Sequence, residues 1–445
     1  MKTVHLTNAW HPRSGGIATF YRALLDAAER RQHDIRLIVP SSESRVETVG
    51  RHGTIYHLAA PIAPFNPDYR ILYPLRSLLP AGDIVRILDR ERPDLIEVCD
   101  KYTHIYVGSL LRTRRHPLLR FRPAVVGLSC ERMDENAAAY LSAGSYLRTL
   151  TQLYLRWLYF PSCDHHIAVS EHTASELRAV AAGHKVTRGV WILPMGADTN
   201  LFSPSRRQTH TRRHWLSIAG APPDGFLLLY AGRLAPEKNV GLLADTMKRL
   251  PPDRFRLIVA GDGILRKALE KQLADRAVFL GHVSDKSALA DLYANCDLFL
   301  HPNPAEPFGI APLEAMASGL TLIAPASGGI TAYADHTNSC LVPCHPDAFA
   351  GTVLRLAANE PERASLARAA VETARLHDWT SAANRYLDLY TDIAGANAIH
   401  SARTAPSFTS SPKHFLQVLF HGPFTGKSST CKQSHPSMNP DKERT

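Results

Sequence analysis

A chain of 445 residues, 45% hydrophobic and 21% charged, is too long for one compact core and ordinary in composition for a globular protein, so two domains are the default. Its seven cysteines include no Cys-x-x-Cys pair, which excludes a zinc ribbon and argues against a disulfide framework; Cys340, Cys344 and His345 lie close together, but no second pair completes a site and no metal is expected. The net charge of +10 divides into +6 over residues 1–200, zero over 201–400 and +4 over 401–445, without the basic motifs and interleaved aromatics of a nucleic-acid module.

Met1-Lys-Thr-Val-His-Leu6 reads as a strand rather than a signal peptide, and no apolar run approaches the ~20 residues of a transmembrane helix, so a cytoplasmic location is expected. Val4-His-Leu-Thr7 is the first short strand. Ser14-Gly-Gly-Ile-Ala-Thr19 leads into a helical run from Phe20 to Arg30, and Ile35-Arg-Leu-Ile-Val39 is the next strand. Leu95–Val98, Ala124–Leu128 and His166–Val169 follow as strands, each separated by helical patterns. Ser203 to Gly225, rich in Arg, Thr, Ser and Pro, reads as a linker. The same grammar then restarts with Phe226–Tyr230, Phe255–Val259, Ala277–Leu280, Leu298–Leu300 and Leu320–Ala324.

Short apolar strands alternating with helices predict parallel sheets covered on both faces. The expected fold is α/β: two doubly wound domains facing across a cleft, with ligands beyond the carboxyl ends of the strands. The expected divisions are a first domain over 1–200, a linker over 201–224, a second domain over 225–376, a helix over 377–394 and a tail over 395–445. That tail is rich in Ser, Thr, Pro and Lys, is expected to be disordered, and carries one apolar patch, Phe415–Phe420.

Two stretches of the second half carry chemistry. Ala231-Gly-Arg-Leu-Ala-Pro-Glu-Lys238 puts Arg233 and Lys238 on the loop after a strand. Two fixed cations there can stabilise the charge that a diphosphate leaving group gains, Arg through a forked contact and Lys as a point charge. Glu306-Pro-Phe-Gly-Ile-Ala-Pro-Leu-Glu314 sets two carboxylates eight positions apart around a Pro-Phe-Gly turn. Pro312 fits the first helical position and Gly319 a C-terminal cap, leaving Glu306 in the loop and Glu314 in or near the first turn. An acidic helix start alone looks similar, because the helix dipole favours carboxylates there.

The Glu306–Glu314 spacing resembles the E-x7-E signature of the retaining, nucleotide-sugar-dependent family 4 glycosyltransferases of the group 1 type. Gly232–Lys238 resembles that family's G-R-x4-K stretch. The resemblance covers about residues 1 to 394, is strongest from 226 to 345, and implies the GT-B fold of two Rossmann-like domains, the first on the acceptor side and the second binding the nucleotide sugar.

It also implies roles. Arg233 and Lys238 would grip the donor diphosphate, and Glu306 would sit by the reacting sugar. Glu314 would take the ribose hydroxyls, with Phe308, Gly309 and Ile310 offering backbone N–H groups nearby. Gly15 and Gly16 would approach the donor phosphates or the acceptor from across the cleft, where glycines ahead of a helix admit an anion. Gly263, in the turn Gly261-Asp-Gly263, and Val283, in Gly281-His-Val283, would line the nucleotide pocket. His377–Tyr386 resembles the family's last helix, which crosses back onto the first domain, with Trp379 and Tyr386 packing.

Two departures stand out. Ser129-Cys-Glu-Arg-Met-Asp134 places Cys130 where the family usually has a sugar-contacting His, and a neutral thiol is a poor substitute donor. Cys130 and Glu131 are therefore the possible sugar contacts, with Arg132 beside them. Ser339 stands where the family commonly has Gly after Asn338, and is expected to strain that turn.

The implied activity moves a hexose from GDP-mannose or a UDP-hexose to an acceptor hydroxyl in glycolipid, polysaccharide or other cell-envelope glycan synthesis. The departing phosphate oxygen takes the proton, and neither metal nor cofactor is needed. The alternatives are a nucleotide-sugar epimerase or hydrolase on the same fold, or a catalytically weakened nucleotide-sugar-binding protein, made plausible by Cys130. A saccharide or lipid-linked acceptor is implied. Arg112–Arg122, which holds five arginines with Leu118, Leu119 and Phe121, and the aromatic-rich run Tyr146–Phe160 suit peripheral contact with the cytoplasmic face of an anionic membrane.

Overall fold

β1 (Lys2–Leu6) is buried from Thr3 to Leu6, as a strand covered on both faces of a parallel sheet must be. The computed structural model describes residues 1–11, 16–63, 66–74, 82–113, 119, 121–140, 144–181 and 189–403. On one side β1 pairs in parallel with β2 (Asp34–Ser41), beyond which lie β4 (Gly53–Ala59) and the antiparallel edge strand β3 (Arg45–Val49). A short antiparallel pair, β5 (Ile62–Ala63) and β6 (Asn66–Arg70), stands outside this sheet. On the other side of β1 come β7 (Leu95–Val98), β8 (Ala124–Ser129), β9 (His165–Ala168) and β10 (Gly189–Ile192), all parallel.

The second sheet runs β13 (Ala277–Gly281), β12 (Phe255–Ala260), β11 (Phe226–Ala231), β14 (Leu298–Leu300), β15 (Thr321–Pro325), β16 (Cys340–Val342), again parallel throughout. Chain order therefore reverses between β1 and β7 in one sheet and between β11 and β14 in the other. Loops leaving the carboxyl ends of those strands diverge and open a crevice. Arg233 and Lys238 follow β11, and Glu306 follows β14, so the second switch point collects them.

All ten expected strands are present. β3, β4, β5, β6, β10 and β16 were not expected: they are short or lie toward a sheet edge, and β3, Arg-Val-Glu-Thr-Val, has no buried face to advertise it. Ser203–Gly225 is not a loose linker. It holds a 3-10 turn and the helix Thr209–Ile218, pinned to the second domain through Arg206 to Asp291 at 2.8 Å and Arg212 to Asp297 at 2.9 Å. Its basic residues looked solvated because their acidic partners lie 85 positions away.

The last helix runs from Trp379 to Arg403, past the expected end at Ala394, and residues 395–399 belong to the compact body rather than to the tail. Tertiary contacts extend it. Tyr386 donates to Leu193 O at 2.8 Å, Tyr390 bonds the wholly buried Glu97, and Asn397 donates to Arg122 O at 3.0 Å. Residues 404–445, with the Phe415–Phe420 patch, lie outside the described residues. Ser339 is unstrained: it is not among the residues with positive φ, and its hydroxyl donates to Asp335 O at 2.6 Å.

Candidate active site

The helix behind the Pro-Phe-Gly turn begins at Ile310, because Gly309 turns the chain in a left-handed conformation, φ 91°. Pro312 is thus its third residue rather than its first, still within the turn whose N–H groups have no helical partner. Gly319, φ 80°, follows the helix end as expected of a cap.

Lys238 and Glu306 meet. The ammonium lies 3.0 and 2.8 Å from the two carboxylate oxygens, Asn303 donates to Glu306 at 2.9 Å, and His301 stands 3.6 Å away. Burial alone would push the Glu306 carboxyl up, but the Lys238 ammonium above all outweighs it and holds the group at about 2. Burial pushes His301 down to about 4, so it is neutral near pH 7. Arg233 contacts Glu237 at 3.1 Å with its side chain half exposed. Glu314 has a different environment: burial drives its carboxyl up to about 8, with Lys286 and the nearby Tyr293 hydroxyl opposing.

The site is built at backbone level as well. A Cβ on Gly263 would fall 2.4 Å from Leu234 O, so the Gly261–Gly263 turn packs directly on the Arg233 loop. Across the cleft, a Cβ on Gly16 would fall 2.5 Å from Ile310 Cδ1. Gly16, lacking a side chain, admits the other domain's helix start. Gly15 lies outside the described residues.

Residues 14–201 match the family model described as Glycosyltransferase Family 4, and residues 212–373 match the one described as Glycosyl transferases group 1. The chain belongs to the family 4 glycosyltransferases. It is 29% identical over 386 residues to a GDP-mannose-dependent alpha-(1-6)-phosphatidylinositol dimannoside mannosyltransferase of Mycobacterium tuberculosis, covering 86% of this chain and 94% of the relative. A GDP-mannose-dependent alpha-mannosyltransferase of Corynebacterium glutamicum is 27% identical over 335 residues, 74% and 73% of the two chains. Among solved structures, sucrose-phosphate synthase from Thermosynechococcus elongatus aligns with a TM-score of 0.71 at 20% identity, covering 89% of this chain and all of that one. Anabaena HepE in complex with UDP and glucose aligns at 0.62 and 20%, covering 88% and 99%. The fold of this glycosyltransferase is GT-B.

On the first-domain side of this family 4 enzyme, Cys130 and Glu131 follow β8. Contact with the Cys99 thiol, and then burial, raises the Cys130 thiol well above its ordinary value, so it stays neutral. Burial raises the Glu131 carboxyl, against the pull of Lys101. Arg132 is engaged by Asp134 at 2.7 and 3.0 Å. The helix that follows, Met133–Tyr140, lies against the turn Pro236–Lys238. Phe308 is 2% exposed with its ring against Tyr333, so its backbone, not its side chain, is what it can present. Val283 is partly buried against the main core.

Sequence reasoning missed several residues of the candidate site. His301 and Asn303 sit beside Glu306. Lys101 forms a buried pair with Glu176 at 2.7 Å, and Glu176 in turn accepts the N–H groups of Met133 and Asp134. The one available signal was position: Asn303 lies three residues before Glu306 on the same loop. Among the described residues no group of three His, Cys, Asp or Glu side chains could hold a metal ion, and no helix is long and apolar enough to cross a membrane.

The Lys238–Glu306 pair has a pH signature. The folded value of Glu306, about 2, lies below its ordinary 4.5, so its contribution is present above 4.5 and lost as pH falls through about 2. Wild type is expected to lose about 3 kcal/mol more unfolding free energy between pH 5 and pH 2 than Glu306→Gln does. Urea denaturation of both proteins at the two pH values measures it.

Proposed function

We propose that the enzyme is a retaining hexosyltransferase that takes its sugar from a nucleotide diphosphate donor, with GDP-mannose the first donor to test and UDP-hexoses next. The observation that carries this is the Lys238–Glu306–Asn303 cluster at the β11/β14 switch point, with Arg233 on the same loop as Lys238. An ammonium has three protons, so Glu306 leaves Lys238 able to meet a phosphate oxygen. As the bond to the sugar breaks, charge grows on the diphosphate, and fixed cations stabilise it more than they stabilise the bound donor. The departing oxygen then takes the acceptor hydroxyl's proton on the face of attack. Arg233 and Lys238 supply the positive charge, so no metal or cofactor enters the scheme. Glu306 faces the sugar, and Glu314 takes the ribose. The names of the two mannosyltransferase relatives favour GDP-mannose.

A donor panel tests this. GDP-mannose, UDP-glucose and UDP-N-acetylglucosamine are scored by thermal shift, then incubated with saccharide and lipid acceptors, and the anomeric configuration of the product is read by NMR. An inverted linkage would overturn retention. Sugar release or epimerisation without acceptor would favour the hydrolase or epimerase alternative.

The acceptor side supports peripheral contact with a membrane, on narrower ground than the sequence offered. Arg112 and Arg122 do not face solvent as a basic loop would: both pair with Asp164, at 3.0 and 2.6 Å, and Leu119 is buried. Arg114, Arg115 and Leu118 lie outside the described residues. The neighbouring helix does present apolar surface: Leu150, Leu153, Trp157 and Leu158 are 44%, 46%, 62% and 52% exposed, whereas Leu155 and Tyr159 are buried. Arg148 and Arg156 lie on the same run. Such a face suits the headgroup region of an anionic bilayer. Wild type should sediment with anionic liposomes at low salt, and Trp157→Ser/Leu158→Ser should remain in the supernatant. Equal pelleting of both would remove the membrane from the proposal.

A further inference from the structure

Besides the Leu313 N–H of the helix that follows, which donates to Gly309 O at 3.3 Å, three hydrogen bonds hold the backbone of the Glu306–Gly309 turn. Gly329 N–H donates to Glu306 O and the Tyr333 hydroxyl donates to Gly309 O, each at 2.6 Å, and both donors belong to the domain that carries the turn. The third donor comes from the other domain: Ser170 Oγ lies 2.5 Å from Pro307 O. Ser170 follows β9 and is 1% exposed.

Ser170 also caps the helix Glu171–Ala181. Its Oγ accepts the Thr173 N–H at 3.2 Å, and its own N–H donates to Thr173 Oγ1 at 3.0 Å. The Thr173 hydroxyl donates back to Ser170 O. Capping therefore uses a lone pair of the Ser170 hydroxyl and leaves its proton for Pro307.

That proton has a consequence at the next residue. No peptide bond among the described residues is cis, so the Pro307–Phe308 unit is planar and trans, with its C=O and N–H pointing in opposite directions. Anchoring the carbonyl fixes the direction of the Phe308 N–H. Pro307 has no N–H of its own, so Phe308 is the first backbone donor after Glu306. We propose that Ser170 is a positioning residue: by clasping Pro307 O across the closed cleft it aims the Phe308 N–H, tying domain closure to assembly of the sugar site. Only the kinetic half of this statement rests on the glycosyltransferase function; the clasp itself does not.

The experiment uses the full chain and three variants. Ser170→Ala removes clasp and cap together, Thr173→Val removes the reciprocal Thr173 hydroxyl of the cap but keeps the residue-173 N–H and leaves Ser170 facing Pro307, and Ser170→Thr retains both. Hydrogen exchange of the ligand-free proteins is followed on the peptide spanning residues 303–310, and kcat and KM are measured with GDP-mannose or whichever donor the panel selects. Ser170→Ala should speed exchange of that peptide several-fold and lower kcat about tenfold, with KM changed less than twofold. Ser170→Thr should behave as wild type. Thr173→Val should lose a few degrees of melting temperature without changing exchange of the peptide or kcat. Unchanged exchange in Ser170→Ala overturns the clasp, whatever the donor. Faster exchange with unaltered kcat overturns its tie to the sugar site, and equal effects of Ser170→Ala and Thr173→Val reduce Ser170 to a helix cap. A wild type that turns over no donor, yet shows the exchange difference, overturns the glycosyltransferase proposal while the clasp stands.

Discussion

Lys238→Ala and Arg233→Ala should each lower turnover by about a hundredfold or more, the scale of losing one donor aimed at developing charge. The two substitutions should differ in stability. Lys238 lies 2.8 Å from a carboxylate that is only 12% exposed, so its removal strands Glu306 without its counter-ion, at a cost of about 2 kcal/mol. Arg233 is itself half exposed, but its partner Glu237, 3.1 Å away, is as buried as Glu306, 12% exposed, so removing Arg233 also strands a carboxylate and should lower the melting temperature, by less than Lys238→Ala because Arg233 is the more screened cation. Steady-state kinetics alongside thermal denaturation separates the two effects. Near-wild-type turnover in both variants, with the fold intact, would sink the assignment of the diphosphate to this loop.

The second large effect is a division of labour between the two carboxylates. Glu306→Ala should act mainly on kcat, because the group stands beside Lys238 at the switch point, where the proposed reaction places the sugar. Glu314→Ala should act mainly on KM and on nucleotide affinity, because ribose contacts are the same in ground and transition states. Their environments already differ: one carboxyl is held at about 2 by an adjacent ammonium, the other is pushed up to about 8 by burial. Isothermal titration with GDP and UDP, beside steady-state kinetics, distinguishes the two. The reverse pattern would mean that the roles are exchanged.

Much of the scaffold is legible in the sequence. Runs such as Phe226-Leu-Leu-Leu-Tyr230 are apolar at every position, which only a strand covered on both faces tolerates, and the alternation with helical patterns leads to a parallel sheet. Arg233, Lys238, Glu306 and Glu314 could be singled out as candidates because residue type and spacing are local properties. β3 and β10 were not legible: a short strand with little buried surface leaves no period to detect.

What the sequence determined by itself is therefore local: the two sheet-forming halves, the loops at their strand ends and the charged residues on those loops. The pairings were decided only by tertiary structure. Lys238 and Glu306 are 68 residues apart, and Ser170 and Pro307 are 137 apart. Which hydroxyl meets which carbonyl depends on how two domains close, and no spacing along the chain encodes that. Arg112 and Arg122 show the same limit, since a basic run looks solvated until Asp164 is brought beside it. So does the helix carrying Trp157 and Tyr159: both residues are apolar-bodied and only two positions apart, yet one is open to solvent and the other buried. Burial is a property of what lies opposite a side chain, and that is settled by packing between segments distant in sequence.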